Sequence, residues 1–539
     1  MKRVIIYPLL VIFMWGLTAS CRLFHRSSPQ YIFFITLDTT RADSVNVDDN
    51  NNLITPNLAK IASTGISFKN AYSLIPITLP SHFSMFYSLP PNILKMYNNG
   101  QTTKIHYPSM TQLLKENGYQ TAAVISLGVL KSQFGLAKGF DHFLEGFKPQ
   151  HWGKTAEEVN QEIFPQIKKM IGKKSFFWIH YSDPHGPHFP PEYRGRVRAI
   201  YNGQEVYSAR LSEFPIFKYD LNVKPGKNVL RIETEIPDNL RKRTMGMLNK
   251  FQFYGFSITP RKENQKWEVK IPDYWIPTPA KGYINYLSKE RDNDVIVFNN
   301  GNKEIEINVS FLFKAQVDPK FIKRVYTQEV QYMDKQIGKL VDFLKENNIY
   351  SQSAFVIMGD HGEGLGEYHG HVGHIHYLNK IYTQVNMILA GKGIPQDVTR
   401  NEVVSNLNIA PTILELAGIK KPDFMIGSSL LKRNDNKKVI LETYSPAAHF
   451  DAFSIIDFPY QMIIYPGNLH DKKIEFINLE KDKFGVHPIP KDNGEENPKI
   501  RAKLYDAVLA IARRLMAIKG KIGNKTQETI EMLETLGYL

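Results

Sequence analysis

The chain has 539 residues, which at about 150 per domain allows roughly three or four domains, or one large core with insertions. Hydrophobic residues make up 42% and charged residues 22%, so global disorder is excluded; a single cysteine excludes a disulfide framework and any cysteine-based zinc or iron–sulfur site. Lys+Arg 67 against Asp+Glu 53 leaves a net charge of +14, which suits a membrane surface, a phosphate or sulfate substrate or nucleic acid, and is equally compatible with no anionic partner.

Lys2 and Arg3 precede an apolar run from Val4 to Leu17, short for a bilayer span and typical of a signal peptide. Thr18-Ala19-Ser20 then leads into Cys21, the only cysteine. This resembles the lipobox of bacterial lipoproteins, in which the cysteine is lipidated and becomes the mature N-terminus; Thr18 stands where that pattern prefers Leu. A plain secretory signal and an uncleaved short anchor are the alternatives, and all three export the protein. Residues 22–30 read as a polar tether, and no later stretch reaches about 18 apolar residues, so no further span is expected.

Beyond the tether, strand and helix alternate. Tyr31 to Leu37 is a continuous apolar and β-branched run, as in a buried parallel strand; Pro56 to Ser63 and Met110 to Asn117 are helical; Gln120 to Ser126 is a strand. Val159 to Ile171 is helical and Phe176 to His180 is a strand. The alternation predicts an α/β fold with a doubly wound, mixed or parallel sheet. From about 194 to 316 the helical period vanishes, and short strand-like runs such as 217–223 and 229–233 are separated by Asn202-Gly203, Pro225-Gly226 and Asn300-Gly301, which predicts an inserted β-sandwich. The core resumes with a helix over 319–347, a buried strand at Ala354 to Met358 and a helix over Asn401 to Ala417. Four short strands near 438–442, 452–456, 461–465 and 473–477, a helix over 499–519 and a last helix over 526–536 predict a small C-terminal α+β subdomain. The expected division is therefore a leader (1–21), a tether (22–30), a core in two pieces (31–193 and 317–420), the insert (194–316) and the C-terminal subdomain (421–539).

Acids and histidines gather at three predicted strand ends. Asp38 follows the first strand; Asp183, His185 and His188 follow the Phe176 strand; Asp360, His361 and Glu363 follow the Ala354 strand. Ligands of open α/β sheets bind beyond the carboxyl ends of strands, so segments far apart in sequence can converge there. A single Asp in such a place is more often a turn or cap residue; three clusters together are not. From His361 onward, His369, His371, His374 and His376 complete five of the sixteen histidines within sixteen residues, interleaved with glycines. Carboxylate beside imidazole suits a divalent cation. Thr78-Leu79-Pro80-Ser81-His82 leads into an apolar helix from Phe83 to Leu89, where a hydroxyl beside a metal could act as a nucleophile or merely cap the helix.

Taken together these segments resemble the sulfatase family of the alkaline phosphatase superfamily. Asp38 to Asp43 resembles its first metal-binding segment, Thr78 to His82 its nucleophile motif, Phe177 to Pro191 its central histidine segment, and Asp360 to Glu367 its second metal-binding segment, with His374 and Leu378 following. The resemblance covers 31–193, 317–420 and, more loosely, the C-terminal part. It implies that Asp38, Asp360 and His361 hold one divalent cation with Thr78 completing its shell, and that Thr78 attacks the substrate's sulfur or phosphorus. It further implies that His185 and His374 contact substrate oxygens, one protonating the leaving group, with His82 and His188 as further substrate contacts. Calcium, manganese, magnesium and zinc all suit these ligands; a second metal on Asp183, His185 and His374 is the lesser alternative.

The chain departs from the family where sulfatases carry the Cys or Ser that becomes formylglycine, since Thr78 stands there, and His82 replaces an arginine. Gly118 to Ala122 is not followed by the family's Gly-Lys-Trp-His stretch, so the sulfate-binding Lys and His are absent. Threonine nucleophiles in the superfamily belong to phosphodiesterases and phospho-group transferases. The expectation is an exported, metal-dependent hydrolase of a phosphate or sulfate ester, phosphate favoured, lipid-anchored in a bacterial envelope. Its substrate is an anionic ester, on a glycan or lipid head group, and no nucleic-acid partner is expected. The alternatives are a transferase acting on envelope glycan or lipid, and a degenerate core serving as a binding protein.

Overall fold

The computed structural model describes residues 28–45, 53–147, 153–186, 188, 196–210, 216–235, 251–262, 265–272, 276–277, 283–287, 294–315, 319–444, 451–465, 473–490 and 498–518. The leader, with Cys21, and the helix expected over 526–536 lie outside the described residues.

An eight-stranded sheet organises the core. In chain order its strands are β1 (Tyr31–Leu37), β2 (Gly65–Tyr72), β3 (Gln120–Val124), β4 (His142–Leu144), β5 (Ser175–Tyr181), β6 (Ser353–Gly359), β7 (Gln384–Gly391) and β8 (Val398–Ser405). Across the sheet the order is β8-β2-β7-β6-β1-β5-β3-β4. Only β7 runs against its neighbours, so the sheet is mixed. The central strands β1, β5 and β6 are buried at every position, which is why they read as unbroken apolar runs.

The pleat divides these strands between two layers. Phe34, Phe176, Trp178 and Val356 face the Thr78–Tyr87 and Ile409–Leu416 helices. Phe33, Phe177, Ile179 and Phe355 face the Pro56–Ser63, Ala156–Lys169 and Pro319–Glu346 helices. Both helix layers are needed because a two-sided apolar sheet exposes neither face to water.

Between β5 and the 319–346 helix, two five-stranded antiparallel sheets pack face to face over Val197, Ala199, Phe217, Leu230, Val297 and Phe311. Asn202 (φ 48°) and Gly203 (φ 84°) form the hairpin turn between Tyr201 and Gln204, a conformation that favours these two residue types. Leu365, from the loop after β6, joins the core of these sheets. Strands Lys438–Tyr444, Asp451–Asp457, Tyr460–Tyr465 and Lys473–Asn478 form an antiparallel sheet, against which the Pro498–Ile518 helix packs. Among the described residues no helix is long and apolar enough to cross a membrane.

Two expectations need correction. The helix expected over Asn401 to Ala417 is instead the end of β8, a short 3-10 turn at Asn406–Asn408 and a helix over Ile409–Leu416. The nucleophile segment does not precede its helix. Ile77 is the N-cap, Thr78 is the first helical residue, and Pro80 fits because an early helical position has no amide to lose.

Candidate active site

The sheet register builds the site. Leu37 lies opposite Gly359 on β6 and Tyr181 on β5, so Asp38 and Asp360 emerge side by side at the carboxyl end of adjacent parallel strands. Both are fully buried, as are His361 and Thr78. One ligand atom each from Asp38, Asp360 and His361 lies within 4.8 Å of the others. Thr78 Oγ1 is 3.3 Å from His361 Nε2.

Each ligand is aimed by a second partner. The amides of Thr39 and His361 donate to Asp360 Oδ1 at 2.9 and 2.7 Å, leaving Asp360 Oδ2 buried without a hydrogen bond, 3.5 Å from His361 Nε2. His361 Nδ1 donates to Gly362 O (2.9 Å), which leaves the Nε2 lone pair facing the carboxylates. The Ser126 amide donates to His180 Nδ1, so the proton of that ring sits on Nε2 and is donated to Asp38 Oδ2 at 3.1 Å. Asp38 Oδ1 is also buried and unpartnered. Thr39 pays for the sharp exit from β1 with a left-handed backbone (φ 50°), unfavourable for a β-branched residue. Tyr326 holds it there, donating to Thr39 O at 2.7 Å and accepting from the Arg41 amide at 3.0 Å.

These residues fit a cation. Burial, opposed by His361, pushes Asp38 up to about 7; burial and the neighbouring Asp38 push Asp360 up to about 6. Burial pulls His361 down, but the two carboxylates outweigh it and raise its pKa. Two buried acids with orphaned oxygens are costly unless a positive charge joins them. Among the described residues Asp183, His185 and His374 form no second cluster of this kind. Asp183 Oδ1 instead accepts from the Ala156 amide at 3.0 Å, at the start of the 156–169 helix.

The remaining candidates lie around this centre. The His374 ring lies tilted 4.5 Å from His361 and edge-on 5.2 Å from His185, and its Nδ1 is 3.1 Å from Glu363 Oε2. Burial holds His185 down at about 3 and His374 well below the usual imidazole value. His188 is buried with Nδ1 2.9 Å from Glu329 Oε2, and that carboxylate raises its pKa against burial. His82 is fully buried against Trp178 and His180, and its Nδ1 donates to the carbonyl of Thr78 at 2.8 Å. Ser81 is committed elsewhere, donating to Asp360 O at 2.8 Å. The amide of Leu79 is taken by Asn99 Oδ1 (2.9 Å) and Pro80 has none, so the helix offers a substrate fewer amide donors than its sequence suggests.

Two participants, His180 and Glu329, are missing from the sequence-derived set, and a third, Glu363, is there without its partner. His180 reads as part of an apolar strand, yet it shares the i, i+2 face of Phe176 and Trp178, and a histidine in that row signals a polar neighbour. Glu363 reads from the sequence as a strand-end acid, and nothing local pairs it with His374. Glu329 is an acid within the apolar stripe of Tyr326, Val330, Met333 and Ile337, and is 1% exposed.

A Caenorhabditis elegans Sulf-1 homolog is 38% identical over 108 residues, matching 20% of this chain and only 15% of its own length. N-acetylglucosamine-6-O-sulfatase of Bacteroides thetaiotaomicron is 20% identical over 502 residues, covering 87% of this chain and 82% of that protein. A protein solved with its substrate D-glucosamine-2-N,6-O-disulfate superposes with a TM-score of 0.59 at 16% identity, covering 92% of this chain and all of that one. Phosphonate monoester hydrolase from Silicibacter pomeroyi gives a TM-score of 0.56 at 14% identity over 93% and 96% of the two chains. The mixed sheet and its layers are thus those of the alkaline phosphatase-like sulfatase fold. The family model described as Sulfatase matches residues 30–419, from the first strand through the Ile409 helix, and with that match the chain belongs to the sulfatase family of ester hydrolases.

Proposed function

We propose that this chain is a metal-dependent phosphoester hydrolase whose nucleophile is the unmodified hydroxyl of Thr78. The observation that carries the reading is Thr78 Oγ1 at 3.3 Å from His361 Nε2, beside two carboxylates with unpartnered buried oxygens. Asp38, Asp360 and His361 would hold the cation, with Thr78 adjoining it. A bound divalent cation supplies Lewis acidity, lowering the pKa of a hydroxyl beside it and screening the charge of an anionic ester. Thr78 Oγ1 attacks phosphorus, the bond to the leaving oxygen breaks, and the hydroxyl proton is replaced on that oxygen by way of His185 or His374. Burial disfavours the charged form of both rings, so a proton taken up by either would be given up readily to the leaving oxygen. Water then cleaves the phosphothreonine, releasing phosphate and restoring the hydroxyl.

A sulfate ester is the second reading, favoured by the sulfatases among the relatives and by the sulfated glucosamine bound by one structural neighbour. Thr78 and the missing Gly-Lys-Trp-His stretch favour phosphate, and a phosphonate monoester hydrolase among the neighbours shows that the fold also carries phosphorus chemistry. The residues before Ser28 support export and tethering at a membrane through Cys21. The insert, through Leu365, adjoins the loop that carries Glu363 and shapes access to the site. Parallel assays on an aryl phosphate and an aryl sulfate test the reading. Turnover of the phosphate at least tenfold faster supports it, and turnover of the sulfate alone overturns it.

A further inference from the structure

The carboxyl end of the sheet carries the catalytic residues; the opposite end carries the tether. Ser28 and Gln30 lead directly into β1, whose seven residues place Gln30 about 26 Å from Asp38 at 3.3 Å per residue. Packed on that entry is the turn Lys168-Lys169-Met170-Ile171-Gly172-Lys173-Lys174, which contains no acid. The Gly172 amide donates to Tyr31 Oη at 2.8 Å, and the Ser175 amide donates to Gln30 O at 3.0 Å. All four lysines are exposed, and Ile171 among them is 39% exposed. On another flank Ser28 Oγ lies 3.8 Å from the Cβ position of Gly418, two residues before the exposed Lys420.

Lysines at a helix C-terminus ordinarily complement the helix dipole, and that accounts for Lys168 and Lys169 in the last turn of the Ala156–Lys169 helix. It does not account for Lys173 and Lys174, which lie beyond the helix, or for a large aliphatic side chain left in water between the two pairs. A polybasic turn with an exposed apolar residue, beside the point where a tether leaves, fits an anionic lipid surface.

We propose that this pole is a docking surface for an anionic phospholipid bilayer, so that the catalytic mouth faces away from that bilayer and takes its ester from a glycan on the solvent side rather than from a head group of the same leaflet. The inference rests on the reading that the residues before Ser28 tether the chain to a membrane, and it does not depend on which ester is cleaved.

The test is amide hydrogen exchange on the full-length chain in vesicles of phosphatidylcholine, with and without phosphatidylglycerol. Amides of 168–174 should exchange more slowly on the anionic vesicles, while those of 364–373, around the exposed Val372 of the catalytic loop, should be unchanged. Lys→Gln at positions 169, 173 and 174 should weaken docking roughly fivefold per residue while leaving turnover of a soluble aryl ester intact. Protection of 364–373 in place of 168–174 would overturn the proposal and return a lipid head group as substrate. Equal exchange on both vesicle types would overturn it as well. An inactive protein that still shows the 168–174 protection would refute the catalytic reading and leave the docking surface standing.

Discussion

At the scale of single residues the site rests on donors and acceptors that have only one arrangement. Ser126 fixes the tautomer of His180, His180 aims Asp38, and Gly362 fixes the tautomer of His361. Outer-shell partners of this kind typically hold about 10–100-fold of metal affinity. His180→Phe, which keeps the ring against Trp178 but removes the Nε2 proton, should weaken cation binding by about that factor, as read by competition with a chelator. Thr78→Ala should lower turnover at least about a hundredfold with little change in melting temperature, because Thr78 is the first helical residue and Ile77 the N-cap. Thr78→Ser should retain part of the activity. Full activity in Thr78→Ala, measured on the same aryl ester, would assign the attack to another group.

At the scale of elements, helices and strands place these residues by a few strong contacts. Asp334 on the 319–346 helix accepts from the amides of Asn57 and Leu58 at 3.0 and 2.8 Å, capping the Pro56–Ser63 helix from outside its own sequence. Asp334→Ala should cost roughly 1–3 kcal/mol in a denaturant titration while leaving turnover per folded molecule unchanged. Legibility in the sequence follows the same physics. The strands β1, β5 and β6 are buried on both faces, so composition alone reveals them, and parallel pairing then brings Asp38 beside Asp360. By contrast β2 carries an exposed Lys69 among buried positions and β8 is about half-exposed, the two pairing across a register shift, and Val398–Ser405 joins the next helix through Asn406–Asn408 without a Gly or Pro. That missing break is why one long helix was expected there. The Asp38, Asp360 and His361 cluster is legible because acids and histidines gather at several strand ends together, where any one of them alone would read as a cap. His180, Glu329 and the Glu363–His374 pair are not, because pairing between elements leaves no local pattern.

At the scale of the whole molecule, the buried Asp38–Asp360 pair ties stability to the cation and to pH. Both folded-state pKa values lie above the unfolded value of 3.8, so between about pH 4 and 7 the folded metal-free chain holds more protons than the unfolded one. Its stability is therefore full below about pH 4 as far as these groups are concerned, and falls as pH rises toward 7. A cation favours the charged carboxylates and reverses this slope. Thermal melts of chelated and metal-loaded protein should diverge as pH increases across that window; parallel curves would mean that Asp38 and Asp360 hold no ion. The central claim, that Thr78 itself is the nucleophile, is tested most directly by intact mass after a brief incubation of the metal-loaded enzyme with an aryl phosphate. The expected result is a single phosphoryl adduct, located to Thr78 by fragmentation and absent from Thr78→Ala. An active enzyme that forms no adduct under rapid quenching, or carries it on another residue, would contradict it.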